Sequence, residues 1–302
     1  MTTMIVCALL AAVLYGVAAA FEQHQAAGAP DSSAGRPRLI GLLARQPPWL
    51  LGFAAQIGGF ALHAVALRSG PLTIVQMTVA AELMVSVAIV RVRSGRPLPR
   101  TAWLAGAAVL AGITAFLALT ASGAPGAPGQ GATVLGVMAA GTAAIATAAA
   151  GLAAAGLRRA LLLAVAAGLA DACLAVVTMA LAEVAGHGVA AIARSWPVYV
   201  LVPGGLCSLL LTQTAYQAAR PMVTLPVIAA VTPLASVAIG MGFLGETARL
   251  GAGRSIAAGL VAAGTGAALV VLARSVPAAA PPRPAGALRR PHVRSCAAGD
   301  RA

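Results

Sequence analysis

Nine stretches of the chain are almost wholly apolar, and each is long enough to cross a bilayer as a helix. They are residues 4–21, 48–67, 71–90, 102–121, 132–157, 160–184, 197–218, 221–244 and 255–272. About 20 helical residues span a hydrocarbon core about 30 Å thick. Inside that core only helices or closed barrels satisfy every backbone polar group. Continuous apolar runs of this length select the helix. Composition agrees: 60% of the 302 residues are hydrophobic, 9% are charged and the mean hydropathy is +0.91. A soluble domain carries about 25% charged residues. The expected fold class is all-α, a polytopic membrane protein with nine transmembrane helices.

The formal net charge is +13. In a soluble protein that would point to nucleic acid. Here the charge sits between the apolar stretches and reports orientation, so no nucleic-acid partner is expected. All 20 basic residues are arginine. With the excess of Ala, Gly and Pro, this looks like the coding bias of a high-GC bacterial genome. Nine spans put the termini on opposite faces, with 4 arginines on the N-terminal side and 16 on the other. The positive-inside rule then sets the N-terminus outside and the C-terminus in the cytoplasm. The Ala18-Ala19-Ala20 run resembles a signal-peptide cleavage site, but no basic residue precedes it,. Cleavage there would also reverse the arginine asymmetry, so it is not expected. The four cysteines, Cys7, Cys173, Cys207 and Cys296, show no disulfide or zinc spacing,.

Residues 71–90 carry one carboxylate, Glu82, which lies 11 residues after Pro71 and 9 before Arg91. That is near the bilayer midplane. A charge there costs at least about 2.5–3.5 kcal/mol, so such acids face a protein interior or a wet cavity. Low dielectric favours a neutral carboxyl, so Glu82 can hold a proton and release it when water or a cation arrives. The other reading is a protonated Glu hydrogen-bonded to a neighbouring helix. Thr78, Glu82 and Ser86 share one face of an unbroken helix,. Asp171, 12 residues after Arg159 and 12 before Glu183, is a second midplane acid. Together the two can bind a divalent cation through oxygen, with waters retained, or share a proton; alternatively each is satisfied separately.

Gln56 lies as far from the turn at Ser69 as Glu82 does, and His63 and Gln76 match in the same way nearer the outside. His63 can relay protons or simply bond between helices. Pro226 and Pro233, and Gly204 and Gly205 after Pro203, interrupt spans eight and seven; they are candidate hinges or ordinary kinks,. Glu22-x-His24 can bind a metal, but a solvated helix end is favoured at this position,. Residues 38–45 are expected to lie flat on the membrane surface. Tyr15, Trp49 and Trp196 read as packing or interface anchors.

A shift of 150 residues sets Pro71 on Pro221 and Ser86-Val87-Ala88-Ile89 on Ser236-Val237-Ala238-Ile239. Gly16 meets Gly168, Gly58-Gly59 meets Gly204-Gly205, and Ala111-Gly112 meets Ala263-Gly264, at nearby offsets. Gln213 takes the position of His63 in the second copy. Spans one to four (within 1–121) thus pair with spans six to nine (158–273). The linker and fifth span (122–157) lie between them, and a basic tail (274–302), expected to be disordered, follows. An odd number of crossings per offset inverts the second copy. Two inverted four-helix repeats plus a linking helix are the architecture of many secondary transporters, with the site at the midplane.

Residues 45–76 (RQPPWLLGFAAQIGGFALHAVALRSGPLTIVQ) and 213–246 (QTAYQAARPMVTLPVIAAVTPLASVAIGMGFLGE) carry a family resemblance. The chain resembles the drug/metabolite transporter superfamily, which includes the EamA-type exporters. The Pro48-Trp49-x-x-Gly52 entry, the Gln213…Tyr216 run and the Gly245-Glu246 ending are similar to the NIPA-like magnesium transporters. The nine-span layout is too. The first copy has Gly95-Arg96 where the second has Gly245-Glu246, and Gln76 where it has Pro226.

The resemblance implies alternating-access transport of a small solute or cation across the cytoplasmic membrane. The expected site residues are Glu82, Asp171, Gln56, His63, Gln76, Thr78 and Gln213, with Glu82 and Asp171 as candidate ligands for a divalent cation. No nucleotide-binding loop and no catalytic motif is present,, so an enzyme is not expected, nor is a cofactor. The partners implied are the lipid bilayer and a small-molecule or cation substrate with proton coupling; a homodimer is left open. A membrane scaffold or lipid-pathway subunit is the competing class. In it the two acids would be packing groups, and neutral replacements would leave activity intact.

Overall fold

Apolar sequence with Ala and Leu at most positions and few β-branched runs winds into helix. In the computed structural model, residues 2–69, 75, 78–94, 99–120, 129–186, 188–218, 221–243 and 252–275 are described. The long helices are α1 (Thr2–Ala26), α3 (Pro47–Arg68), α4 (Glu82–Ser94), α5 (Arg100–Thr120), α6 (Gln130–Ala153), α7 (Gly156–Ala185), α9 (Trp196–Ala218), α10 (Pro221–Phe243) and α11 (Ala252–Ser275). Two short helices connect them, α2 (Pro37–Leu43) and α8 (Val189–Arg194). No strand occurs among the described residues.

Among those residues, six helices are long and apolar enough to cross a membrane: α1, α5, α6, α9, and the Gly156–Thr178 and Val223–Gly240 parts of α7 and α10. The outer faces carry large apolar side chains such as Leu51, Phe60, Leu104, Ile145 and Leu206. Such a belt suits lipid contact. The interior is built from Ala, Gly, Leu and Val, because small residues let helix backbones approach closely.

Helix α1 packs on α3 and α4, and α7 packs on α9 and α10. Helices α5 and α11 lie against one another, α6 lies along α7, and α1 also touches α9 and α10. Glycines set the closest approaches. A Cβ on Gly16 of α1 would stand 2.7 Å from Val85 Cβ of α4, and one on Gly168 of α7 would stand 2.8 Å from Val231 Cβ of α10. One on Gly112 of α5 would fall 2.0 Å from Thr265 Oγ1 of α11.

The elements differ from the sequence expectation in four places. Helix α1 continues past residue 21 to Ala26, so Glu22 and Gln23 are not a solvated end; they are 4% and 2% exposed. The third span is not one unbroken helix. Ala80 and Ala81 form a turn, and α4 starts at Glu82. The fifth and sixth helices part at Ala154–Ala155, before Arg158-Arg159, where Gly156 takes φ +57°. Helix α2 is amphipathic, as 38–45 suggested, but it docks on α9 with Leu39 and Leu43 fully buried and Arg38 exposed. Gln76, Gly245-Glu246, most of the linker after span four and the tail with His292 and Cys296 lie outside the described residues.

Candidate functional site

Glu82 is the first residue of α4 and Asp171 lies inside α7. They come from the two halves of the chain and lie within electrostatic reach of each other, both half-buried. Their placement follows from the close helix approach at Gly16. A Cβ there would lie 3.0 Å from the Glu82 carbonyl oxygen. The Ser208 hydroxyl of α9 donates a hydrogen bond to Asp171 Oδ1.

Tyr15 of α1 and Tyr216 of α9 both lie within the field of the two carboxyls. The Tyr15 hydroxyl is 3.4 Å from His63 Nδ1, and the rings meet edge to face at 6.1 Å between centroids. His63 Nε2 is buried without a hydrogen-bond partner. His63 thus meets Tyr15, and Tyr15 lies within the field of Glu82 and Asp171.

The predicted residues divide into three groups. Glu82 and Asp171 lie within reach of each other's charge, whereas His63 contacts Tyr15. Gln56, matched to Glu82 by its distance from the turn at Ser69, is exposed on the outer face of α3. Thr78 precedes the turn, so it and Glu82 do not share an unbroken helical face, and Ser86 bonds the Leu83 carbonyl of its own helix at 2.9 Å. The expected hinges also differ. Helices α9 and α10 run unbroken through Pro203, Pro226 and Pro233. The interruption falls instead at Ala80–Ala81, where Ala81 N and Leu83 N bond carbonyls three residues back, at 3.1 and 3.3 Å. Pro226 is buried. Pro233 lines a cavity of about 10 Å³ with Gly112 and Thr265. Gly204 leans on Leu174, and Gly205 has open space beside its Cα.

Gln213 belongs to a second cluster. It is completely buried; its Nε2 donates to Glu22 Oε2 at 2.5 Å and its Oε1 accepts from Trp49 Nε1 at 3.2 Å. Gln23 Nε2 reaches Thr224 Oγ1 at 3.5 Å, and the Gly35 amide donates to Thr214 Oγ1 at 3.2 Å. Gly35 has φ +68°, a conformation open to glycine, and this turns its N–H toward α9,. Trp49 is therefore more than an anchor: it stacks on Phe53 and orients Gln213.

No family model, characterised protein or solved structure matches this chain.

Site chemistry must therefore come from the donor set. Among the described residues no group of three or more His, Cys, Asp and Glu stands together. Glu82 and Asp171 supply carboxylate oxygen, and the Ser208 hydroxyl bonds Asp171. A hard dication takes six or more oxygens, so here it would keep most of its waters. A proton needs one lone pair.

Sequence reasoning missed Glu22 and Tyr216. One signal was available for Glu22: it lies seven residues after Tyr15. Two helical turns place both on one face of α1.

Proposed function

We propose that the protein is a proton-coupled secondary transporter of a small solute or cation, of the drug/metabolite transporter type, in the bacterial cytoplasmic membrane. The reading includes nine spans, as two inverted four-helix repeats plus a linking helix, with the N-terminus outside. The observation that carries it is that Glu82 and Asp171, one acid from each half, lie within reach of each other's charge.

The helix packing supports the repeat. Helices α1, α3, α4 and α5 correspond to α7, α9, α10 and α11. In each set the first helix packs on the second and third, and the fourth helices of the two sets meet. Gly16 against Val85 and Gly168 against Val231 are similar close approaches of a first helix to a third, one helical turn apart in the register of the repeat. Inverted repeats of this kind rock about a site at their interface.

Two acids in mutual reach in low dielectric favour one shared proton over two charges. An arriving cation neutralises the pair and releases that proton; its departure lets the proton return. Substrate and proton then compete for the same oxygens, which is sufficient for exchange.

Proteoliposomes test this. Mg²⁺ entry and internal pH are followed for the wild type beside Glu82→Gln and Asp171→Asn, and a panel of amines and amino acids is then run on the same vesicles. Substrate-driven proton movement in the wild type, lost in both folded variants, is expected. Movement that survives both substitutions refutes the carboxyl pair as the coupling site. Mg²⁺ entry without proton release refutes coupling and leaves a cation carrier.

A further inference from the structure

Among the described residues, the central pair leaves one buried acid unused. Glu22, 4% exposed, stands where α1, α3 and α9 meet. Its Oε2 is held by Gln213, and its Oε1 is buried without a hydrogen-bond partner. The groups facing it are few. Gln213 donates to it, Trp49 donates to Gln213, and Thr224 of α10 bonds the adjacent Gln23. Tyr216 of α9 is the titratable side chain in its field. On its own helix His24 is exposed, as are Arg36, Arg38 and Arg45 in the segment that follows.

An isolated buried charge is expensive, and a buried carboxyl is retained where it is paired, neutral or at work. The surroundings discriminate among ligands. A metal ion needs several oxygens, whereas the two groups bonded along this network, Gln213 and Trp49, offer N–H. One free carboxyl oxygen suits a proton. The position suits transfer. Glu22 is seven residues, about 10 Å along the helix, from Tyr15 beside the central pair. Tyr216 lies within the fields of Glu22, Glu82 and Asp171 alike.

We propose that Glu22, held by Gln213, which Trp49 in turn orients, is a second proton-binding site, separate from Glu82 and Asp171. Tyr216 lies within the field of both. In the orientation set by the arginines, Glu22 faces the cytoplasmic end, so it is where a proton enters or leaves the bundle on that side. Bonding of Glu22 to Gln213 also ties α1 to α9, so its proton occupancy bears on how firmly the two halves stay joined at that end.

The site is tested without substrate and without the central pair, so its failure is distinct from failure of the transport reading. The full-length Glu82→Gln/Asp171→Asn variant in liposomes is examined by pH-difference infrared spectroscopy, which reports the C=O stretch of protonated carboxyl groups. One buried carboxyl band that titrates is expected, and adding Glu22→Gln removes it. Gln213→Leu, in the same background, shifts the midpoint of that band by about one pH unit, a tenfold change in proton affinity. A band that persists after Glu22→Gln overturns the proposal, as does a midpoint that Gln213→Leu leaves in place. Far-UV circular dichroism checks the fold; should Glu22→Gln not fold, Glu22→Asp must move the band, and an unmoved band overturns the proposal equally.

Discussion

Replacing Gly112 by alanine tests the contact between α5 and α11. The new Cβ would fall 2.0 Å from Thr265 Oγ1, 3.1 Å from its Cβ and 3.4 Å from its Cγ2. Thr265 is buried, and its hydroxyl is held by the Val261 carbonyl at 2.8 Å. Clearing the methyl requires either breaking that bond and turning the side chain, or parting the helices by more than 1 Å, given ordinary contact near ~3.5 Å. Overpacking of this kind costs about 1–3 kcal/mol. Alanine offsets about 1 kcal/mol of it through helix propensity. The expected net loss is about 0–2 kcal/mol, read as a lower thermal midpoint in detergent.

The discriminating variant is Gly112→Ala/Thr265→Ala. With the threonine trimmed the clash disappears and the propensity gain remains, so the double variant should exceed Gly112→Ala in stability by about 1–3 kcal/mol. If Gly112→Ala alone is more stable than the wild type, or the two substitutions are simply additive, α5 and α11 do not meet at this point.

Trp49→Phe keeps the ring on Phe53 but removes the donor to Gln213, leaving a buried carbonyl oxygen unpaired; a loss of about 1–3 kcal/mol in thermal or denaturant unfolding is expected,. Gly35→Ala forces an L-residue into φ +68° and presses toward Leu152, so it should lower stability by about 1–2 kcal/mol, whereas Gly41→Ala, with open space at its Cβ, should not,. Glu82→Gln and Asp171→Asn should be non-additive: the double variant should impair proton-coupled transport no further than either single one, because each removes the same shared proton,. Full additivity would mean that the two acids act apart.

The membrane-type helices were legible from their length and apolar composition, and Glu82 and Asp171 were conspicuous because a bilayer penalises charge,. Which face of a helix a residue takes was less so. Gln56 lies on an exposed side, and α3 has apolar residues all round and no amphipathic stripe to orient it,. Glu22 was read as a helix end because Glu22, Gln23, His24 and Gln25 together look like water-facing residues. That His24 is exposed and Glu22 buried follows from α3 and α9 packing against one side of α1. The interrupted winding before Glu82 had no signal, since prolines marked α9 and α10 instead and both stayed helical.

The turn at Ala80–Ala81 has a mechanical meaning. Alanine is the residue that resists helix least, so tertiary contacts, and not the local sequence, keep this turn tightly wound. A tight turn advances about 2.0 Å and 120° per residue, an α-helical one about 1.5 Å and 100°. Relaxing two residues shortens the segment by about 1 Å and rotates everything beyond by about 40°. Glu82 is the first residue beyond. The segment is therefore a screw with the carboxyl at its tip: an axial push of about 1 Å that relaxed the turn would swing that carboxyl sideways.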